Sequence, residues 1–288
     1  MIDPAFTLIE PAHRAGPLVL SSPHSGRAYP PAFVAASRLD PLTLRRSEDA
    51  FVEELFAWAP EKGIPFLMAH FPRAYLDPNR EAWELDPVMY ADRLPDYVNI
   101  ASPRVAAGLG TVARMVTDGA EIYDRKIPFA EAQWRVRQYY EPYHAALLGL
   151  IERTKSQFGT CLLVDCHSMP SVGGPMDPDP GRRRADFVLG DCYGDSCTGL
   201  VIRTVEAALI DLGYRTVRNK PYSGGHTTRH YGRPSKNVHV LQIEINRDLY
   251  MDESSIERIE DMQRLSTHLA EAMAALAELS ADRLGNGR

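Results

Sequence analysis

Three short apolar runs in this chain each stop on polar, chemistry-bearing residues, and that pattern limits the fold more than any other feature. Leu162-Leu163-Val164 runs into Asp165-Cys166-His167; Pro17 to Ser22 (PLVLSS) ends on Pro23-His24-Ser25-Gly26; Val238 to Ile245 (VHVLQIEI) carries Glu244 at its end. Apolar runs of this length read as buried strands. An open α/β sheet places its active site at the carboxyl ends of its strands. The expectation is therefore one sheet with His24, His167 and Glu244 delivered to one edge.

The remaining segments alternate with these runs in the manner of an α/β protein. Residues 1–16 read as an irregular lead-in. Ser47 to Trp58 has a good N-cap, acids in its first turn and Phe51, Leu55 and Trp58 at helical spacing, so a helix is expected there. Ile64 to His70 reads as a second strand. FPRAYLDPNREAWELDP has charge and proline without periodicity and reads as a long functional loop. Helices are expected over Ala101 to Val116 and over Pro128 to Ser156, the latter interrupted or kinked at Pro142. Beyond the strand at residues 160–166 come a Pro/Gly/charge loop (170–184), a short strand DFVLG, a helix from Ser196 to Leu212 and a strand over Tyr214 to Arg218. The loop NKPYSGGHTTRHYGRP then leads into the strand with Glu244, and an amphipathic helix is expected from Glu253 to Arg283. Strands alternating with helices give an α/β fold with a largely parallel sheet. We expect residues 1–288 to form a single domain.

Composition narrows the partners. The formal charge of -6, with no basic stripe, gives nucleic acid or an anionic membrane nothing to attract, and no apolar stretch approaches the roughly 20 residues of a membrane span. The opening MIDPAFTLIEPAHR has acid and proline where a signal peptide needs basic and then apolar residues. Cys161, Cys166, Cys192 and Cys197 have no C-x-x-C spacing, and Cys161 and Cys166, which flank an expected buried strand, read as reduced core thiols. A cytoplasmic protein acting on a small molecule, as a monomer or small homo-oligomer, is the expectation.

Two strand-end histidines suggest a metal, because imidazole is the commonest zinc ligand and catalytic zinc takes three protein ligands plus water. Asp49 and Glu48, which open the helix expected after the first histidine, could complete the set, although acids in a first helical turn also serve the helix dipole alone. Glu244, at the end of a half-buried strand, reads either as an ion-pair partner of Arg247 or as a general base. Arg73, Asp77, Asn79 and Arg80 fall in one loop; either arginine could bind a carboxylate or stabilise an oxyanion, or simply be solvated. Gly224-Gly225 followed by Thr227-Thr228-Arg229-His230 is a turn that could cradle an anion. Tyr143 and His144 read as packing residues, and His226, His230 and His239 as structural or as supports behind the site residues.

Taken together, SPHSGRAYP, SEDAFVEELF, FPRAYLDPNR, VDCHSMP, KPYSGGHTTRHYGRP and LQIEINRDLYMD, spread over residues 21–252, resemble the N-formylglutamate amidohydrolase family. That family is itself similar to the zinc carboxypeptidase and aspartoacylase superfamily. The resemblance implies a three-layer α/β/α domain with a mixed, largely parallel sheet of about eight strands. It implies one Zn2+ per chain, or another divalent metal, held by His24, an acid and His167. It also implies Glu244 as the catalytic glutamate, Arg73 as the arginine that polarises the scissile carbonyl, and Asn79 and Arg80 as holders of a substrate carboxylate. The superfamily's acid lies three residues after the first histidine; Arg27 stands there, so Asp49 is the expected third ligand and Glu48 the second choice. A second substrate carboxylate needs another cation, and Arg229 is the candidate. The implied activity is metal-dependent hydrolysis of N-formyl-L-glutamate to L-glutamate and formate, in histidine degradation. Alternatives are another N-acyl amino acid hydrolase or a carboxypeptidase on the same site, or a non-catalytic binder of acidic metabolites.

Overall fold

The computed structural model describes residues 2–116, 119–175 and 177–285. Met176, within the expected loop at 170–184, lies outside the described residues. The chain forms two compact units whose segments alternate along it. One comprises the chain's first residues to Thr7, Pro23–Ala50 and Ala69–Ala146; the other comprises Leu8–Ser22, Phe51–Met68 and residues 147–285.

The second unit carries most of a seven-stranded sheet. Its strands are β1 (Phe6–Ile9), β2 (Leu18–Ser22), β3 (Phe66–Ala69), β4 (Cys161–Met169), β5 (Phe187–Gly190), β6 (Thr216–Arg218) and β7 (Val238–Asn246), in the order β1-β3-β2-β4-β7-β5-β6. β2 pairs in parallel with β3 and β4, β4 with β7, and β5 with β6; β5 runs antiparallel to β7. The sheet is thus mixed and largely parallel, as expected, with seven strands where about eight were expected. The three runs that end on polar chemistry lead to, or form, the adjacent strands β2, β4 and β7. Every residue of β4 and of β7 is buried. Helices α3 (Val52–Leu55), α7 (Gly199–Asp211), α8 (His226–Tyr231), α9 (Met262–Ala277) and α10 (Ala281–Gly285) belong to this unit, with α3 on β4, α7 on β6 and β7, α8 on β7, and α9 against α3 and α7. A short ribbon of β8 (Met251–Asp252) and β9 (Glu257–Arg258) precedes α9.

The first unit contains α1 (Pro31–Ala35), α2 (Pro41–Arg45), α4 (Pro103–Ala106), α5 (Phe129–Arg135) and the start of α6 (Glu141–Phe158). Arg135, 2% exposed, organises its interior. Its guanidinium lies 3.9 Å from the Tyr75 ring centre and donates to Tyr75 O at 2.9 Å and Tyr123 Oη at 2.7 Å. Phe33 stacks at a tilt on both tyrosines. A buried cation satisfied by a carbonyl, a hydroxyl and a ring face costs far less than an unpaired one.

Several elements differ from expectation, each for a local reason. The helix expected over Ser47 to Trp58 is only α3, because Phe51 adopts φ 66 and the Asp49 N–H turns back to His24 O at 3.1 Å. The expected helix at Ala101 to Val116 is only α4; the backbone beyond it pairs with the preceding loop instead, Asp77 N–H to Thr111 O and Thr111 N–H to Glu84 O, both at 2.8 Å. The expected interruption near Pro142 is a π-helical segment, Val136–Tyr140, between α5 and α6. Proline lacks the N–H that a continuous α-helix needs there. The lead-in contains β1, and the C-terminal helix begins at Met262, after the ribbon, rather than near Glu253.

Candidate metal centre and active site

In the first unit the candidate residues gather around Asp77, a residue to which sequence patterning gave no role. His24 follows β2 by two residues, and Gly26 lets its loop lie against the backbone at His70 and Phe71, where a Cβ would collide with both carbonyls. His24 is 1% exposed. Its Nε2 donates to Asp77 Oδ1 at 2.7 Å, and its Nδ1 lies 3.3 Å from Asp49 Oδ2. A carboxylate only accepts, so Nε2 carries the proton that Asp77 receives, and Nδ1 is the ring atom that faces Asp49.

The same carboxylate gathers the cations. Arg73 Nη2 donates to Asp77 Oδ2 at 2.9 Å, Arg80 Nη2 lies 3.5 Å from that oxygen, and the Asn79 N–H reaches Oδ1 at 2.8 Å. Burial alone would raise the Asp77 pKa, but Arg80, then His24, then Arg73 outweigh it and hold the group well below the usual carboxylate range. Burial lowers the Arg80 pKa to about 10, against the pull of Asp77. Arg73 Nη1 also lies 3.8 Å from Asp49 Oδ1. The loop is held from behind by the α5–α6 region, where Tyr140 Oη donates to Arg80 O at 2.8 Å and His144 Nε2 to Pro78 O at 2.9 Å. His144, expected to pack only, thus fixes the backbone on which Asn79 and Arg80 sit.

Glu48 and Asp49 separate clearly. Glu48 accepts from Tyr29 Oη at 2.6 Å and from the Arg45 guanidinium at 3.1–3.2 Å. Burial, then the charge and hydrogen bond of Glu48, push the Tyr29 pKa far up. Glu48 therefore ties α2 to the Tyr29 loop, whereas Asp49 faces His24.

In the second unit the candidate residues lie along β4 and β7. Their parallel register sets His167 beside Glu244 and Asp165 beside Gln242. His167, 2% exposed, lies inside β4 rather than just beyond it. Its Nε2 donates to Asp165 Oδ2 at 2.8 Å, while Asp165 Oδ1 accepts from Ser21 Oγ on β2 at 2.7 Å. As in His24, a carboxylate holds Nε2, here from two residues back on the same strand. Glu244, 6% exposed, accepts at Oε1 from Gln242 Nε2 at 2.7 Å, and Arg247 donates to Ser168 Oγ at 3.2 Å. Arg229 sits exposed on α8, with Nη2 3.4 Å from Ser223 Oγ. It borders a cavity of about 410 Å³ with Cys192, Asp195, Thr228 and Arg233.

The thiols stay out of this chemistry. All four are unpaired by disulfides and buried; burial pushes Cys161 up to about 12 and holds Cys166 well above the usual thiol range. Among the described residues no helix is long and apolar enough to cross a membrane.

Comparison with known proteins identifies the family. A family model described as N-formylglutamate amidohydrolase matches residues 16–251. A protein named N-formylglutamate deformylase from Pseudomonas aeruginosa is 33% identical over 243 residues, covering 83% of this chain and 84% of its own length. One of the same name from Pseudomonas putida is 28% identical over 242 residues, covering 83% of each. The crystal structure of N-formylglutamate amidohydrolase from Ralstonia eutropha superposes with a TM-score of 0.87 at 38% identity, covering 95% of this chain and 97% of that one.

Proposed function

The chain belongs to the N-formylglutamate amidohydrolase family, and we propose that it is a metal-dependent hydrolase cleaving N-formyl-L-glutamate to L-glutamate and formate. Its relatives' names suggest the substrate. The observation that carries the metal is the repeated lock on two histidines, Asp77 on His24 and Asp165 on His167. Metal-bound histidines characteristically donate their other ring N–H to a carboxylate, which fixes the tautomer and raises ligand basicity. We assign the ligands to His24, Asp49 and His167, three buried side chains that each offer one ligand atom. Two imidazoles and one carboxylate suit a catalytic zinc, which keeps a fourth position for water.

When bound, the metal supplies Lewis acidity and brings the pKa of a water towards about 7. The chain's own residues perform the rest. Glu244 accepts the proton of the water that attacks the formyl carbon. Arg73, braced by Asp77, faces the developing oxyanion. Glu244 then returns the proton to the amide nitrogen as the C–N bond breaks, so that the amine of glutamate leaves neutral and formate carries the second oxygen. Asn79 and Arg80, fixed from behind by Tyr140 and His144, take the α-carboxylate, and Arg229 takes the side-chain carboxylate. In this reading residues 1–288 act as a single amidohydrolase domain. The test is turnover by metal-replete protein of formyl-, acetyl- and succinyl-glutamate and of formyl-aspartate. Formylglutamate should lead in kcat/KM; a larger acyl group leading would reassign the substrate, and binding without turnover would make the chain a binder of acidic metabolites.

A further inference from the structure

Gln242 has no part in the chemistry described so far, yet it is 4% exposed in the centre of β7 and every polar atom of its amide is engaged. Its Oε1 accepts from the Gly225 N–H at 2.7 Å and lies 3.4 Å from Thr228 Oγ1. Its Nε2 donates to Glu244 Oε1 at 2.7 Å. The orientation of the amide is not arbitrary. A backbone N–H can only donate, so the oxygen must face Gly225 and the nitrogen must face Glu244. Period-two geometry puts residues 242 and 244 on one face of the strand, which makes this reach possible.

The loop that fixes Gln242 is itself brought in by a missing side chain. Gly190 on β5 stands opposite Gln242 in the antiparallel register. A Cβ at Gly190 would lie 2.8 Å from Gly224 N and from Ser223 C. Only glycine lets residues 223–225 approach the sheet closely enough for the Gly225 N–H to meet the amide. A chain of contacts therefore runs from Gly190 through the 223–225 turn and Gln242 to the carboxylate of Glu244.

We propose that Gln242 is a positioning residue for the general base: it holds Oε1 of Glu244 and fixes the plane of the carboxylate. The inference rests on Glu244 being the base. It concerns neither the metal nor the substrate's carboxylates, so its loss should appear in kcat and not in binding.

The experiment compares the holoenzyme with Gln242→Glu, Gln242→Met, Glu244→Gln and the double variant Gln242→Glu/Glu244→Gln, measuring kcat, KM, metal content and melting temperature on formylglutamate. Gln242→Glu keeps an acceptor for the Gly225 N–H and loses the donor to Glu244; Gln242→Met loses both without adding charge. Coupled neighbours interact strongly, so kcat should fall roughly ten-fold or more in both single Gln242 variants. KM should stay within about three-fold and metal content unchanged, since uniform binding is not what is removed. Once Glu244 is already Gln, the further change at 242 should cost little, because Gln242 acts through that carboxylate. Wild-type kcat in both Gln242 variants would overturn the proposal. So would a loss confined to KM or melting temperature, or one that adds in full to that of Glu244→Gln. Near wild-type activity in Glu244→Gln would instead remove the base itself, which separates failure of the function from failure of this inference.

Discussion

Asp77 illustrates how one buried carboxylate can set a site. It orients His24, holds Arg73 and Arg80 close together, and accepts the Asn79 N–H from two residues on. Removing its charge should loosen all of these. Asp77→Asn is expected to weaken metal binding roughly 10–100-fold, the usual effect of losing a carboxylate behind a metal-bound histidine; competition with a chromophoric chelator measures it. His24→Ala and His167→Ala should each abolish stoichiometric metal, and full occupancy in either variant would remove that histidine from the site. Glu244→Gln should retain metal and substrate binding while kcat falls by about 10²–10⁴. Arg229→Ala should lower kcat/KM for formylglutamate by roughly ten- to a hundred-fold, as befits a lost charged hydrogen bond, and much less for formylglutamine. An equal loss on both substrates would show that Arg229 does not read the side-chain carboxylate. At this scale the sequence exposed the residues whose chemistry is unusual for their place, His24, His167 and Glu244. It did not expose Asp77, Asp165 or Gln242 as supports, because an Asp in a DPN turn or a Gln in a strand has many ordinary explanations until its partners are known.

The elements explain which parts of the chain were legible. β4 and β7 read clearly because they are buried along their whole length and need an uninterrupted apolar pattern. The segments that failed as helices, around Asp49 and around Thr111, fail where backbone groups serve the site. Asp49 N–H is bonded to His24 O, Leu109 O accepts from Arg80 Nε, and Thr111 O accepts from Asp77 N–H. Tertiary demand overrides propensity there. β7 also carries a pH-sensitive load on the chain's stability. Its His239, 1% exposed, takes a hydrogen bond at Nδ1 from the Thr198 N–H at 3.3 Å, and burial pushes its pKa down to about 4. An unfolded histidine titrates near about 6.5. The unfolded chain therefore gains a proton between these values that the folded chain refuses. The stability due to neutral His239 is complete above about 6.5 and is lost as pH falls towards about 4. Replacing it should remove that slope. Urea unfolding at pH 7 and pH 5 should show His239→Gln losing less stability on acidification than the parent, by on the order of 1 kcal/mol. Equal losses would mean that the ring is already protonated or hydrated in the fold.

At the scale of the whole molecule, the charge balance bears on how an acidic substrate is held. The chain carries a formal charge of -6, and formylglutamate carries two carboxylates, so long-range attraction cannot favour their encounter. Local cations must outweigh the mean field, and Arg73 and Arg80 are kept beside one buried anion rather than spread over the surface. Family membership and the α/β class were both legible in the ordered set of short motifs, since strand ends and site loops carry the strictest chemistry. The count of strands and the course of the connecting segments were less so, because edge strands such as β1 and short ribbons such as β8 and β9 bury too little to leave a pattern. The most direct measurement is formate release from N-formyl-L-glutamate by one preparation before chelation, after chelation and after zinc is restored, with metal content measured at each stage. Turnover should follow metal at about one zinc per chain, vanish when it is stripped while the circular dichroism spectrum persists, and return on re-addition. Undiminished formate release from protein shown to be free of metal would contradict a metal-dependent hydrolase held together by His24, Asp49 and His167.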